Sequence, residues 1–109
     1  MSDATKSQGA LMVRIDLHHA DHGKRRALMD AVLNALRDLP GLGSVSVMRG
    51  VAGLNGGHVI HAADILHFDI DLPLLVEFCA APDQAEAAMT SLRALVPAGA
   101  IMTWPVTVR

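Results

Sequence analysis

Residues 10–39 read ALMVRIDLHHADHGKRRALMDAVLNALRDL, and the spacing of the apolar residues changes partway through. Leu11, Val13, Ile15 and Leu17 alternate with Met12, Arg14, Asp16 and His18, so Ala10 to Leu17 reads as a half-buried strand. From about His22 to Leu39 the spacing becomes helical: Leu28, Val32, Ala35, Leu36 and Leu39 form a stripe that Met29 and Leu33 widen. Lys24, Arg25, Arg26, Asp30, Asn34 and Arg37 are assigned to the wet face. Asp21 is the expected N-cap, and Pro40-Gly41 stops the helix.

Beyond this unit the pattern repeats in outline. Ser44 to Val51 alternates again, with Val45, Val47 and Val51 on one side and Ser46 and Met48 on the other. Gly50, Gly53, Gly56 and Gly57 then loosen the chain, and His58 to Leu66 shows little period. Leu72 to Cys79 is a dense apolar run with one charge, Glu77, and reads as a strand inside a sheet, entered through Pro73. Pro82 suits the first turn of a second helix with the stripe Ala85, Ala88, Met89, Leu92 and Leu95, ended by Pro97 and Gly99. Ile101 to Val108 is a last strand, where Pro105 argues for an edge, a bulge or a strand end.

The order is strand, helix, strand, strand, helix, strand: an α+β fold of the ferredoxin-like split βαβ kind (βαββαβ), with an antiparallel four-stranded sheet. Right-handed crossovers put both helices on one face of that sheet. The other face is left bare and would carry Met12, Arg14, Asp16, Ser46, Met48 and alternate residues of the third and fourth strands. A face of mixed apolar and polar groups is the kind another subunit covers.

Composition narrows the function classes. Hydrophobic residues make up 51% of 109 residues and charged residues 18%, and mean hydropathy is +0.34, which excludes a disordered chain. With one Trp, two Phe and no Tyr, the apolar content is aliphatic. Cys79 has no partner for an internal disulfide, which agrees with a reducing compartment such as the cytoplasm. No apolar run reaches the roughly 18 residues of a membrane span. A net charge of −2 gives no electrostatic footprint for nucleic acid. The polar residues 1–9 read as a disordered tail with no secretory signal, and residues 10–109 as one domain.

Three separated motifs then carry a family resemblance. Met48-Arg49-Gly50-Val51-Ala52-Gly53-Leu54 is followed by Gly57-His58-Val59-Ile60-His61-Ala62-Ala63 and by Asp71-Leu72-Pro73-Leu74, with His22-Gly23 at the start of the first helix. In order and spacing the chain, from about Leu11 to Val108, resembles the domain-of-unknown-function family 190, also called UPF0166. It departs from the family pattern at Leu54, where an aromatic residue is usual, and at Asn55-Gly56. It departs again at Ala62 after the histidine, and at Cys79-Ala80-Ala81-Pro82 in place of an acidic turn.

That family is similar in fold to PII signal-transduction proteins, trimers whose sheets pack around a threefold axis and which bind adenine nucleotides between subunits. The resemblance implies a cytoplasmic PII-like regulatory protein that forms a homotrimer. No cofactor is required, and an adenine nucleotide is the implied ligand. Signals would pass through the segment 52–70 to a partner such as a membrane transporter or an enzyme.

The expected ligand site is Arg49, Gly50, Gly53, Gly56, Gly57, His58 and His61. Glycines allow close backbone approach to an anion, an arginine can fork onto phosphate, and the histidines can hydrogen-bond a phosphate or a base. The spacing fits neither a Walker loop nor the dinucleotide fingerprint. A solvated glycine loop is the plainer alternative. His18, His19 and His22 suggest a second reading, a metal-binding trimer similar in architecture to CutA-type ion-tolerance proteins. However, no cysteine or carboxylate pair completes a zinc set, and polar residues at a strand-to-helix corner account for them better. Asp64, Asp69 and Asp71 suit either a cation or turn chemistry. Lys24-Arg25-Arg26 reads as a solvated run or a salt link across a subunit contact. No G-x-S-x-G elbow and no placed carboxylate pair supports an enzyme. A catalytic site on the bare sheet face would need a deep pocket there.

Overall fold

The computed structural model describes residues 8–17, 22–50, 52–55, 58–61 and 74–109. Strand β1 spans Gln8–Asp16, helix α1 His22–Arg37, strands β2, β3, β4 and β5 Val45–Arg49, Ala52–Asn55, His58–His61 and Leu74–Ala80, helix α2 Pro82–Leu92 and strand β6 Ile101–Val108. β1 begins at Gln8, two residues before the strand start read from periodicity; residues 1–7 of the expected tail lie outside the described residues.

Four strands form one antiparallel sheet in the order β2-β5-β1-β6, and β3 pairs with β4 in a separate two-stranded ribbon. The four-stranded sheet with its two helices is ferredoxin-like. The apolar run around Leu74–Ala80 is an inner strand, and Pro105 stands on β6, an outer strand where a missing N–H costs no ladder bond.

Register fixes which residues share a face. Val13 lies opposite Phe78, Ile15 opposite Val76 and Leu11 opposite Ala80. These side chains join Val32 and Leu36 of α1 and Ala85, Ala88, Met89 and Leu92 of α2 in one buried cluster. Both helices therefore cover the same face. Their neighbours in sequence, Met12, Arg14 and Asp16 of β1 and Leu75, Glu77 and Cys79 of β5, fall on the opposite face with Ser46 and Met48 of β2. The ladders of β1 run one step past the paired strands on each side: Asp16 N–H donates to the Ala100 carbonyl (2.8 Å), and Leu17 N–H to the Leu74 carbonyl (3.0 Å).

Two assignments from periodicity change. Arg25, assigned to the wet face, is only 7% exposed, and its Nε–H donates to the Leu17 carbonyl at 3.2 Å. Counting back from Leu36 through Val32 and Met29 reaches position 25, so the arginine stem completes the buried stripe. Leu95, placed on the stripe of the second helix, is exposed, and Val96 is buried in its stead. The helix stops at Leu92, and the N–H groups of Leu95 and Val96 both turn back to the Leu92 carbonyl, which rotates position 96 inward. α2 opens without a side-chain cap at Ala81 but has Pro82 in its first turn and Asp83 beside it, both suited to a helix start.

Candidate functional site

β2 ends at Arg49, whose register partner is Leu74. Arg49 is exposed and Gly50 half-buried. The glycine and histidine stretch that follows is a β-ribbon. Ala52 pairs with His61, Gly53 with Ile60, Leu54 with Val59 and Asn55 with His58. Gly53, His58 and His61 are thus held on one ladder, while Gly56 and Gly57 lie outside the described residues. Along one strand at ~3.3 Å per residue, the Cα atoms of His58 and His61 stand about 10 Å apart. His61 lies beside Ala52 at the end of the ribbon nearest in sequence to Arg49, and His58 at the other end.

A cleft lies at the opposite edge of the sheet. α2, the Val96–Gly99 turn and the start of β6 enclose a cleft of about 540 Å³, lined among others by Met89, Val96, Gly99, Ile101 and Thr103. Gly99 holds φ +90°, a conformation a glycine adopts without steric cost. Glu86 and Arg93 stand at this cleft, with Arg93 Nη2 3.8 Å from Glu86 Oε2. Both side chains are exposed, so the pair is weak and leaves the arginine available to an anion. Sequence reading missed this cleft. Its signal was the Pro97-Ala98-Gly99 turn, which by pattern marks only the end of a helix.

Arg49 and the cleft occupy opposite outer strands, β2 and β6, with β5 and β1 between them. Three strand spacings of ~4.8 Å separate those edges by roughly 14 Å. One chain does not bring the two together.

The face opposite the helices mixes polar groups with exposed large apolar side chains. Met48, Met102, Trp104 and Val108 are 38%, 49%, 36% and 50% exposed. At its middle Arg14 and Glu77, register partners on the two inner strands, form an ion pair through Nε and Oε2. The Arg14 guanidinium carbon lies 5.3 Å from the centroid of the Trp104 ring. Cys79, half-buried, lies on this face opposite Met12.

His22 opens α1, but His18, His19, Asp64, Asp69 and Asp71 lie outside the described residues. Among the described residues no group of three or more His, Cys, Asp or Glu side chains could hold a metal ion. No helix of the described residues is long and apolar enough to cross a membrane.

The family model for DUF190, described as "Uncharacterized ACR", matches residues 10–108. Among solved structures, a DUF3240 family protein from Shewanella baltica is similar at TM-score 0.55 and 15% identity, with 90% of this chain and 87% of that chain covered. The divalent cation tolerance protein CutA1 from Thermus thermophilus is similar at TM-score 0.56 and 16% identity, covering 89% and 84%. CPII from Thiomonas intermedia, a PII-like protein bound to ADP and bicarbonate, is similar at TM-score 0.52 and 9% identity, covering 94% and 89%. At these identities the likeness is one of fold.

Proposed function

The chain belongs to the domain-of-unknown-function family 190, and from that premise we propose that it is a PII-like regulatory protein. It assembles as a homotrimer and binds an adenine nucleotide, or a small anion of like chemistry, in clefts between subunits. The observation that carries this reading is the placement of two half-sites on opposite outer strands. Arg49 stands at the end of β2, and the cleft bearing Arg93 stands at the edge of β6. In a ring of like copies each half-site meets its complement from the neighbour. Arginines from both sides would then converge on one anion, with apolar surface from Met89, Val96 and Ile101 beside them.

The uncovered face supports the assembly, since exposed apolar area of this kind is the usual mark of an interface. The binding of ADP by CPII, a protein of similar fold, supports the ligand class. Gly53, His58 and His61, with Gly50, Gly56 and Gly57, form the remainder of the proposed site. Ligand contact there would change the conformation of the segment 52–70 and with it what the segment docks onto, a membrane transporter or an enzyme. The proposed role is binding and regulation, in the cytoplasm, and requires no cofactor.

Calorimetric titration with AMP, ADP, ATP and cyclic AMP tests the ligand class. At least one should bind, and Arg49→Ala should weaken it about tenfold or more, as loss of a charge-assisted pair does. Absence of binding by all four overturns the nucleotide reading.

A second reading, a metal-binding trimer, draws on six histidines and on the similarity in fold to CutA1, a divalent cation tolerance protein. Metal analysis of the untagged protein decides it. A stoichiometric metal lost in a His18→Ala/His22→Ala variant favours it, and metal-free protein removes it.

A further inference from the structure

The uncovered face carries, at its centre, a charged group that ordinary apolar packing does not need. Arg14 and Glu77 are register partners on β1 and β5, the two inner strands. Around them stand Met12, Met102 and Trp104. The Glu77 side chain is 16% exposed and that of Arg14 36%. Arg14 commits Nε to Glu77 and lays its guanidinium over Trp104. Among the described residues its two Nη groups and Oε1 of Glu77 take no further partner, and they remain as donors in a planar fork and as an acceptor. The face thus presents one cation and one anion side by side, each with an unused half. That is charge self-complementarity: a second copy of the same face can satisfy both.

Resting on the homotrimer reading above, we infer that Arg14 and Glu77 set the register of the assembly. The Nη groups of Arg14 pair with the partner subunit's Glu77, closing a ring of alternating charges around the symmetry axis. An aliphatic interface alone specifies register weakly, because leucine, valine and methionine contacts tolerate sliding. A desolvated ion pair does not tolerate it, since a slip leaves each charge buried without its partner. The ring of charges is the element that selects copies of this chain over other sheets of similar shape. Trp104 holds the guanidinium in plane for the contact.

The test exchanges the charges. Arg14→Glu/Glu77→Arg keeps the pair within each chain and reverses its sense. The doubly exchanged chain and the unmodified chain are each prepared as oligomers, mixed at equal concentration, allowed to exchange subunits and read by native mass spectrometry. The inference predicts that each assembles with itself, while mixed oligomers fall at least about tenfold below random mixing because like charges then face one another. Random mixing overturns it, for then the pair acts only within a chain. Should the exchanged chain fail to fold, Arg14→Gln/Glu77→Gln replaces it. The expected result is then a dissociation constant of the oligomer raised about tenfold or more, and an unchanged constant overturns the inference. If the unmodified chain is itself a monomer, the homotrimer reading fails first, and mass measurement of that chain alone separates the two outcomes.

Discussion

Arg25 shows how a single residue in this chain takes a role that its type does not announce. Its stem packs on the stripe of α1, and its Nε–H serves the carbonyl of Leu17, where β1 has ended. Arg25→Met keeps much of the stem but leaves that carbonyl without this donor. The expected cost is about 1–3 kcal/mol, read as a lower urea midpoint with an unchanged slope. Gly41 is the second such position. It holds φ +80° in the turn after α1, and a Cβ there would run into the side-chain amide of Gln84. Because that amide ends a flexible side chain, the left-handed backbone dominates. Gly41→Ala should cost about 1–2 kcal/mol in chemical denaturation, and a neutral result would mean that the turn relaxes to another conformation.

At the scale of elements, much was legible because local chemistry and tertiary placement agree. The change of period near residue 20 separates β1 from α1, the dense run from Leu72 to Cys79 predicts a strand inside the sheet, and Pro105 predicts an edge, a bulge or a strand end, of which the edge is observed. Legibility ended where tertiary contacts override pattern. Arg25 looked wet because arginine is charged, although its stem is aliphatic. Leu95 looked buried because the pattern does not reveal a helix stopping one turn early. Glycine-rich residues 52–61 read as loop, since alternation is weak there, yet four residues on each side suffice for a ribbon. Arg49 and the histidines could be named as candidates from motif spacing, whereas the cleft beside β6 could not. That cleft is formed by α2, a turn and β6, which only the fold brings together. The inner strand also carries a direct prediction. Phe78 is buried among both helices and faces Val13 and Val45 across β5. Phe78→Ala should cost about 3–5 kcal/mol, measured by denaturation, because the site is enclosed by two layers and cannot collapse freely.

At the scale of the whole molecule, an aliphatic composition with few aromatics becomes a statement about assembly. Two helices cover one face of a four-stranded sheet, and the other exposes Met48, Met102, Trp104 and Val108 around one ion pair. Light scattering behind size exclusion should give a particle of about 35 kDa, three chains of 11.5 kDa, at micromolar concentration. Placing a further charge on the uncovered face, as in Trp104→Glu, should shift that mass toward the single chain while leaving far-UV circular dichroism unchanged. If the mass stays at the oligomer value, the uncovered face is not the contact.

The central claim is that each ligand cleft is completed by two copies, with Arg49 from one and Arg93 from the next. Complementation between two defective chains tests it most directly. Arg49→Ala and Arg93→Ala are each titrated with ADP as homo-oligomers, then mixed, allowed to exchange subunits and titrated again. The account predicts that each variant alone binds ADP at least about tenfold more weakly than the unmodified chain. The mixture should recover unmodified affinity in roughly a quarter of its clefts, those pairing the intact edge of one chain with the intact edge of the other. Unimpaired binding by either variant alone, or a mixture that recovers nothing after verified exchange, would contradict it.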